Sequence, residues 1–297
     1  MLLVADRAGQ LGNKLWLLSH LICAAEIEGF RLVAPGFSDH RSLFPSLDGT
    51  GPTIYGPRRS APLARLGEHI FLPSARLLAA LAVRLGARGN RLLWVVRLAE
   101  GDRLDLSDPE IRERLRSTRL VILQGWLFRD EAAIRQCASI VREVFRPNDR
   151  IREAARSTVE EVRAGASTVV GVHIRRGDYR KHLGGRFFFP TSVYARVMED
   201  LRTSIPDVSF VVASDEEIDP ADLSGLPYVL APGDAASDLF TLAACDRIVG
   251  PPSSFTLWAS LYGRTPLAMI VDPEKSPTTE DFRVAPDIKD PQIGKLY

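Results

Sequence analysis

The sequence predicts two doubly wound α/β domains that meet near residue 148. Strand-like apolar segments alternate with helix-like periodic segments along the chain, which is the pattern of βαβ units. The length of 297 residues fits two domains, since one domain usually has roughly 100–200 residues. Hydrophobic residues make up 45 % and charged residues 25 %, a globular composition that supports a large core in each domain.

The first domain is predicted to open with a β-loop-α-β unit. Its first elements are strand 1–5, glycine turn 9–12, helix 15–27 ending at Gly29, and strand 31–34. The elements that follow are a loop at 36–60 rich in Pro, Gly and Ser, helix 61–90, strand 120–123 and helix 131–144. This order indicates a parallel sheet covered by helices.

The second domain is predicted to begin near Asp149. Its elements, in chain order, are helix 151–163, strand 168–174, helix 191–204, strand 208–213, strand 228–230, helix 235–244, strand 247–249, helix 254–262 and strand 267–271. Ligands of such sheets bind beyond the carboxyl ends of the strands. Polar residues that follow a predicted strand are therefore the candidates for function.

Charge and cysteine content argue against a nucleic-acid-binding protein, a disulfide-rich protein and a cysteine metal site. The 38 basic and 37 acidic side chains leave a net charge of +1, so no global field attracts nucleic acid and an anion must be bound locally. Cys23, Cys137 and Cys245 lie far apart, without disulfide or metal-site spacing, which favours a reducing cytoplasmic compartment. The apolar N-terminus is too short for a secretory signal, and no window of about 18 apolar residues predicts a membrane span.

Residues 171–179 (GVHIRRGDY) place four candidate side chains at the end of a strand. Arg175 and Arg176 can each bind two phosphate oxygens with one guanidinium. His173 can donate a hydrogen bond, and Asp178 can orient an arginine or contact a sugar. The intervening glycine is predicted to permit a sharp turn. The alternative is a surface loop whose Arg and Asp pair in solvent.

Three further segments carry candidate contacts to an anion or a nucleoside. Turn 9–12 opens a helix, and Ser253 and Ser254 open another, so that free N–H groups face outward. Asp215 ends a strand, where its carboxylate can accept hydrogen bonds from a purine or a ribose. The alternatives are ordinary helix caps and, for Asp238, compensation of a helix dipole.

In this order, these segments resemble the fucosyltransferase superfamily, and most closely the bacterial α-1,2-fucosyltransferases of glycosyltransferase family 11. That family has G-x-G-N-Q near the start, H-x-R-R-G-D-Y after a mid-chain strand, S-D at a later strand end and an N-S-S-F-S-W-W-G-like stretch near the end. The counterparts here are GQLGNK, HIRRGDY, SD and PPSSFTLWAS. HxRRGDY is the most specific part of a likeness that extends over nearly the whole chain.

The resemblance implies a GT-B fold, in which two Rossmann-like domains face each other across a cleft. Residues 1–148 would form the acceptor-side domain with an Arg/Leu-rich helical insert, and residues 149–297 the donor-binding domain. The implied activity is inverting transfer of L-fucose from GDP-fucose to a sugar hydroxyl, in α-1,2 linkage on a glycan or a lipid-linked oligosaccharide. No cofactor and no metal would be required, and the partners would be a nucleotide-sugar donor and a glycan acceptor, without nucleic acid.

The family pattern also assigns roles to individual residues. Arg175 corresponds to the arginine at the β-phosphate of the donor, and Asp178 and Asn13 complete the implied catalytic set. Asp178 is the first candidate for the general base, and Asp6 is the second. The implied donor contacts are His173, Arg176, Ser214, Asp215, Asp238, Ser253, Ser254, Phe255 and Gly12.

Three departures from the family pattern leave alternatives open. Lys14 stands where the family has Gln, Pro251-Pro252 replaces an Asn-containing approach, and Thr256-Leu257 interrupts the aromatic run. One alternative is a GT-B transferase that uses another GDP- or UDP-sugar. The other is a non-catalytic relative that binds a nucleotide or a carbohydrate.

An arginine-rich segment lies outside these motifs. Residues 58–103 contain nine Arg and no Lys, against three acidic residues. A helix over residues 75–88 would carry one broad apolar face of Leu77, Leu78, Leu81, Ala82 and Leu85, with Arg76, Arg84 and Arg88 towards one edge. Such a helix either packs on the N-terminal domain or rests on an anionic membrane, at its cytoplasmic face.

Overall fold

The computed structural model describes residues 1–7, 9–56, 68–84, 90–99 and 101–288. These residues form two compact units, one up to Asn148 and one from Asp149 onward. Each unit contains one five-stranded sheet covered by helices. In the described residues, no helix combines the length and the apolar character that crossing a membrane requires.

The N-terminal unit is built on the sheet β3-β2-β1-β6-β4, in which only the edge strand β3 is antiparallel. The strands are β1 (Leu2–Val4), β2 (Leu32–Val33), β3 (Thr53–Tyr55), β4 (Leu93–Arg97) and β6 (Leu120–Gln124). A small parallel pair joins β5 (Leu104–Asp105) to β7 (Phe128–Arg129). The helices are α1 (Leu11–Glu28), α2 (Glu68–Arg84), α3 (Pro109–Ser117) and α4 (Glu131–Val144).

The C-terminal unit is an all-parallel sheet with the order β10-β9-β8-β11-β12. The strands are β8 (Thr168–Ile174), β9 (Val208–Ser214), β10 (Tyr228–Leu230), β11 (Arg247–Gly250) and β12 (Leu267–Met269). The helices are α5 (Asp149–Arg163), α6 (Thr191–Ser204), α7 (Ala235–Ala244) and α8 (Ser254–Gly263).

The central strand β8 shows why this sheet forms. Its residues after Thr168 are all buried, as expected for a parallel strand covered by helices on both faces. At Gly171 an added Cβ would lie 2.7 Å from Cδ2 of Leu242 and 3.1 Å from Sγ of Cys245. Glycine is therefore needed for the close approach of α7 to the sheet.

The strand order creates a switch point between β8 and β11. From β8 the chain moves to β9 on one side and later to β11 on the other. Crevices at such points, beyond the carboxyl ends of the strands, are the usual ligand sites of open α/β sheets. Ile174 and Ser214 pair in register at the ends of β8 and β9, so the residues that follow them are brought together.

The structure differs from the predicted elements mainly between residues 11 and 129. Helix α1 begins at Leu11, inside the predicted turn, and edge strand β3 lies in the predicted loop. Strands β4, β5 and β7 and helix α3 were not predicted. Strands β5 and β7 have only two residues each, and β4 is an apolar run flanked by arginines. Within the predicted helix 61–90 the structure describes α2, and residues 57–67 and 85–89 lie outside the described residues.

Candidate functional site

Arg175 follows β8 directly and is held between two carboxylates. Its Nη1 lies 2.8 Å from Oδ2 of Asp215, and its Nη2 lies 2.7 Å from Oδ1 of Asp178. A short 3-10 turn, Gly177–Arg180, folds back after the strand, and the ring of Tyr179 lies 5.6 Å from the guanidinium carbon. The Arg175 side chain is only 15 % exposed. The guanidinium is thus fixed in one orientation before any ligand binds.

Asp215 connects the ends of β8 and β9. Besides the contact with Arg175, its Oδ1 accepts a hydrogen bond of 2.8 Å from the backbone N–H of Arg176. An added Cβ at Gly177 would lie 2.5 Å from Oδ2 of Asp215, and the φ of Gly177 is not positive. The glycine therefore serves the close approach of this carboxylate. In the structure Asp215 positions Arg175, and its predicted contact with a nucleoside stays a prediction.

Arg176 points to a different set of partners. Its Nη1 donates to Oγ1 of Thr191 at 2.9 Å, and its Nε lies 3.3 Å from Oε2 of Glu216. Arg180 also pairs with Glu216, at 2.6 Å. Both guanidinium groups lie over the ring of Phe188, at 5.3 and 4.7 Å. The structure thus gives the two consecutive arginines different partners, since Arg176 joins the loop to the start of α6, and its predicted donor contact stays a prediction.

His173 is a buried, neutral part of the wall between β8 and α8. Its ring stacks on Phe255, with 4.9 Å between the centroids and an angle of 23° between the planes. Burial, with a smaller contribution from the Arg175 charge, lowers the pKa of His173 to about 3. Its Nδ1 has no hydrogen-bond partner among the described residues. A neutral imidazole can support the neighbouring arginine without repelling it.

The N-terminus of α8 lies beside the same loop. The Ser253 side chain caps the helix by accepting a hydrogen bond of 3.1 Å from the backbone N–H of Phe255. The Tyr179 hydroxyl donates to the carbonyl of Pro252 at 2.6 Å and so joins the loop to the helix start. Ser254 is buried in the first turn. The positive end of the helix dipole at this place suits an anion.

Asp238 and Ser214 make backbone contacts in the structure. Asp238 is buried and accepts a hydrogen bond of 2.8 Å from the N–H of Gly233. Burial raises the pKa of Asp238 to about 6, against the lowering effect of that hydrogen bond. Ser214 Oγ accepts a hydrogen bond of 3.2 Å from the N–H of Glu216. Asp238 lies in the first turn of α7, as its dipole-compensating alternative requires, and the predicted donor contacts of both residues remain predictions.

The remaining predicted residues belong to the N-terminal unit. Gly12 is buried in the first turn of α1, and an added Cβ at Gly9 would lie 2.7 Å from Nδ2 of Asn13. Asp6, beyond the end of β1, accepts a hydrogen bond of 2.7 Å from the N–H of Gly125 and pairs with Arg76 at 2.9 Å. The Asp6 carboxylate thus joins the end of β1 to Gly125 and to helix α2.

Sequence reasoning missed the part played by Glu216 and Thr191. Glu216 is the first of the two glutamates in VVASDEE, directly after Asp215. The run of three acidic residues at the end of β9 could have indicated that arginines on the neighbouring loop would pair there. The contact of Thr191 with Arg176 could not be predicted from the sequence, because it depends on where α6 begins relative to β8.

Comparisons with known proteins match part of the chain to one family and to several of its relatives. Residues 137–277 match the model of glycosyl transferase family 11. Over 137 residues the chain is 32 % identical to galactoside alpha-(1,2)-fucosyltransferase 1 of Saimiri sciureus. This alignment covers 40 % of this chain and 37 % of the relative. The protein of the same name from Leontocebus fuscicollis is 31 % identical over the same shares. The matched part thus spans a little over a third of the length of these relatives.

Two solved structures share the fold. The Arabidopsis thaliana FUT1 mutant in complex with GDP aligns with a TM-score of 0.58 at 11 % identity, covering 97 % of this chain and 74 % of that one. POFUT1 in complex with GDP-fucose aligns with a TM-score of 0.52 at 12 % identity, covering 93 % and 95 %. Together with the two largely parallel sheets, these neighbours confirm the predicted α/β fold of the GT-B type.

Proposed function

We propose that this protein is a fucosyltransferase of the bacterial family 11 type. It would move L-fucose from GDP-fucose to a sugar hydroxyl with inversion, forming an α-1,2 linkage on a glycan or a lipid-linked oligosaccharide. The observation that carries the proposal is Arg175, fixed by Asp178 and Asp215 beside the N-terminus of α8. This arrangement lies in the segment that matches glycosyl transferase family 11.

Transfer of fucose from GDP-fucose requires that the negative charge developing on the leaving GDP be stabilised. The bond between C1 of fucose and the β-phosphate oxygen breaks, and the acceptor oxygen forms a new bond to C1 from the opposite face. The acceptor hydroxyl gives its proton to a base or to solvent, and GDP leaves with the electron pair. A guanidinium that is already oriented stabilises this developing charge without reorganising during the reaction.

We assign the diphosphate to Arg175 and the N-terminus of α8. The first provides N–H donors in a fixed fork, and the second provides the positive end of a helix dipole. These groups can neutralise a diphosphate, so we propose that no metal ion and no cofactor take part. His173 and Phe255 would form the wall behind the diphosphate, since their rings stack between β8 and α8.

The general base remains assigned to Asp178 first and Asp6 second. Asp178 is 52 % exposed and can face an acceptor while it contacts Arg175. Asp6 belongs to the N-terminal unit and already holds Arg76 and the Gly125 N–H. Asn13 and Gly12 belong to the same unit, for which we propose the acceptor side. We propose the cytoplasm as the compartment, which fits three buried free cysteines.

Donor binding and transfer test the proposal separately. We expect GDP-fucose to raise the thermal unfolding temperature more than GDP-mannose or UDP-galactose does. We also expect incubation with GDP-fucose and a panel of β-galactosides to yield fucosylated product and GDP. Stronger stabilisation by a different nucleotide sugar would identify another donor. Binding of GDP-fucose without product or donor hydrolysis on any acceptor would identify a non-catalytic relative.

A further inference from the structure

Helix α2 has apolar side chains on two opposite faces. Ala75 and Ala79 are buried, and they pack in a core cluster of the N-terminal sheet. On the other face Leu77, Leu78 and Leu81 are 61 %, 42 % and 45 % exposed. A surface helix normally has one apolar stripe, which faces the core. The second apolar face is therefore not explained by the folding of this unit.

The three leucines form one patch on the helix surface. At about 100° per residue they fall within an arc of roughly 100°, on the side away from the buried alanines. Single exposed leucines are common on proteins, but three neighbours on one helix produce a continuous apolar surface, which usually marks an interaction site. This set of Leu77, Leu78 and Leu81 is called the leucine face below.

One exposed cation borders the leucine face among the described residues of α2. Arg84 is exposed and continues the row of Leu77 and Leu81 at the C-terminal end of the helix. The only acidic residue in the sequence of α2 is Glu68, at the opposite end. Arg76 is turned to the core side, where it pairs with Asp6 at 2.9 Å and donates to the carbonyl of Ala5 at 3.0 Å. A partner that covers this face therefore meets leucines bordered by a cation.

We propose that the leucine face docks on an anionic lipid surface. The leucines would enter the boundary between headgroups and acyl chains, and the Arg84 guanidinium would lie among the headgroup phosphates at the end of its long side chain. The neighbouring sequence has the matching charge, with nine Arg and three acidic residues over 58–103. This inference is independent of the proposed fucosyl transfer, since it uses none of the residues assigned to the donor.

Such docking is weak and reversible. Because the three leucines are already partly buried, their insertion would bury about as much apolar area as one short acyl chain. A single acyl chain alone gives only marginal membrane binding. The electrostatic part depends on anionic lipid and decreases as salt is added.

Vesicle co-sedimentation of the full chain tests the proposal. We expect binding to vesicles with about a third phosphatidylglycerol, weaker binding at high salt, and little binding to phosphatidylcholine alone. The double variant Leu77→Ser and Leu81→Ser should bind the anionic vesicles at least about tenfold more weakly. Arg84→Glu should reduce the preference for anionic lipid. These side chains are exposed, so the variants should retain the wild-type unfolding temperature.

Leu230 provides the matched control, because it is 54 % exposed and lies on β10 in the other unit. Leu230→Ser should leave vesicle binding unchanged. The proposal is overturned if the wild type does not bind anionic vesicles, or if the double variant binds as well as the wild type. It is also overturned if the double variant dissociates a dimer of the wild type that does not bind vesicles, since the leucine face would then be a protein interface.

Discussion

Replacement of Arg175 by Lys is the sharpest test of the candidate site. In the structure the two Nη atoms of Arg175 contact Asp215 and Asp178 at 2.8 and 2.7 Å. A lysine ammonium is a single point of charge and cannot span both carboxylates while it also presents two parallel N–H donors to a phosphate. One carboxylate would then face the diphosphate without its cation.

The expected loss follows from the role of a preorganised charge. Removal of one donor that stabilises a developing anion typically costs about 3–4 kcal/mol, or roughly 100- to 1,000-fold in turnover. The Arg175 side chain is 15 % exposed, so solvent screens the interaction only partly and we expect the full range to apply. Since the contact strengthens as charge accumulates on the β-phosphate, kcat should fall more than the KM for the donor rises.

The assay is release of GDP from GDP-fucose in the presence of an acceptor, measured with purified Arg175→Lys. Arg180→Lys is the matched control, because Arg180 lies in the same loop, is 50 % exposed and pairs with Glu216. Its turnover should stay within about twofold, as expected for a surface ion pair. If Arg175→Lys keeps near-wild-type turnover while both variants are folded, Arg175 does not stabilise the leaving group.

Three further predictions concern residues around Arg175 and the neighbouring helix α7. Asp178→Asn should lower turnover and remove the acidic limb of the pH–rate profile, and an unchanged limb would rule out Asp178 as the base. Gly177→Ala should weaken GDP binding at least about tenfold by displacing Asp215, whereas Gly165→Ala, whose Cβ would meet only one atom at 3.9 Å, should have no effect on it. Asp238→Asn should stabilise the protein at pH 8 by on the order of 3 kcal/mol and have little effect at pH 4. The sign follows from the pKa of Asp238, which burial raises to about 6. The wild type therefore loses stability as the pH rises towards and through 6, and the amide keeps the hydrogen bond from Gly233 without the charge. Equal unfolding temperatures of wild type and Asp238→Asn at pH 8 would contradict this.

The sequence was most informative where one strand is central and fully buried. The β-branched run of β8 predicted residues 168–174, and the structure has the strand at Thr168–Ile174. The position of Arg175 at the end of this strand followed directly. The edge strand β3 and the two-residue strand β5 lack a continuous apolar run and gave no comparable signal. Strand β4 has such a run, from Leu92 to Val96, and was nevertheless missed within the arginine-rich segment.

Of the partners of the two arginines, Asp178 could be predicted from local sequence, and the structure confirms its pairing with Arg175. Asp215, Glu216 and Thr191 could not be predicted in this way. Asp215 contacts Arg175 because β8 and β9 are neighbours with Ile174 opposite Ser214, and this register is a property of the sheet. The sequence alone placed a carboxylate at a strand end, where a nucleoside contact and an arginine contact are equally suitable. The sequence did place Leu77, Leu78 and Leu81 on one face of a helix. Their exposure became visible only once Ala75 and Ala79 were seen to face the core.

The close approach of Gly177 and Asp215 makes these two positions interdependent. Any side chain at 177 would occupy the space of the carboxylate at 215, which lies on another strand and far away in the chain. A shorter residue at 215, such as serine, would make room for alanine at 177 but would leave Arg175 without one of its two anchors. The effects of substitutions at the two positions on donor binding should therefore be strongly non-additive. A library that varies both positions together would measure how far the orientation of Arg175 depends on Gly177.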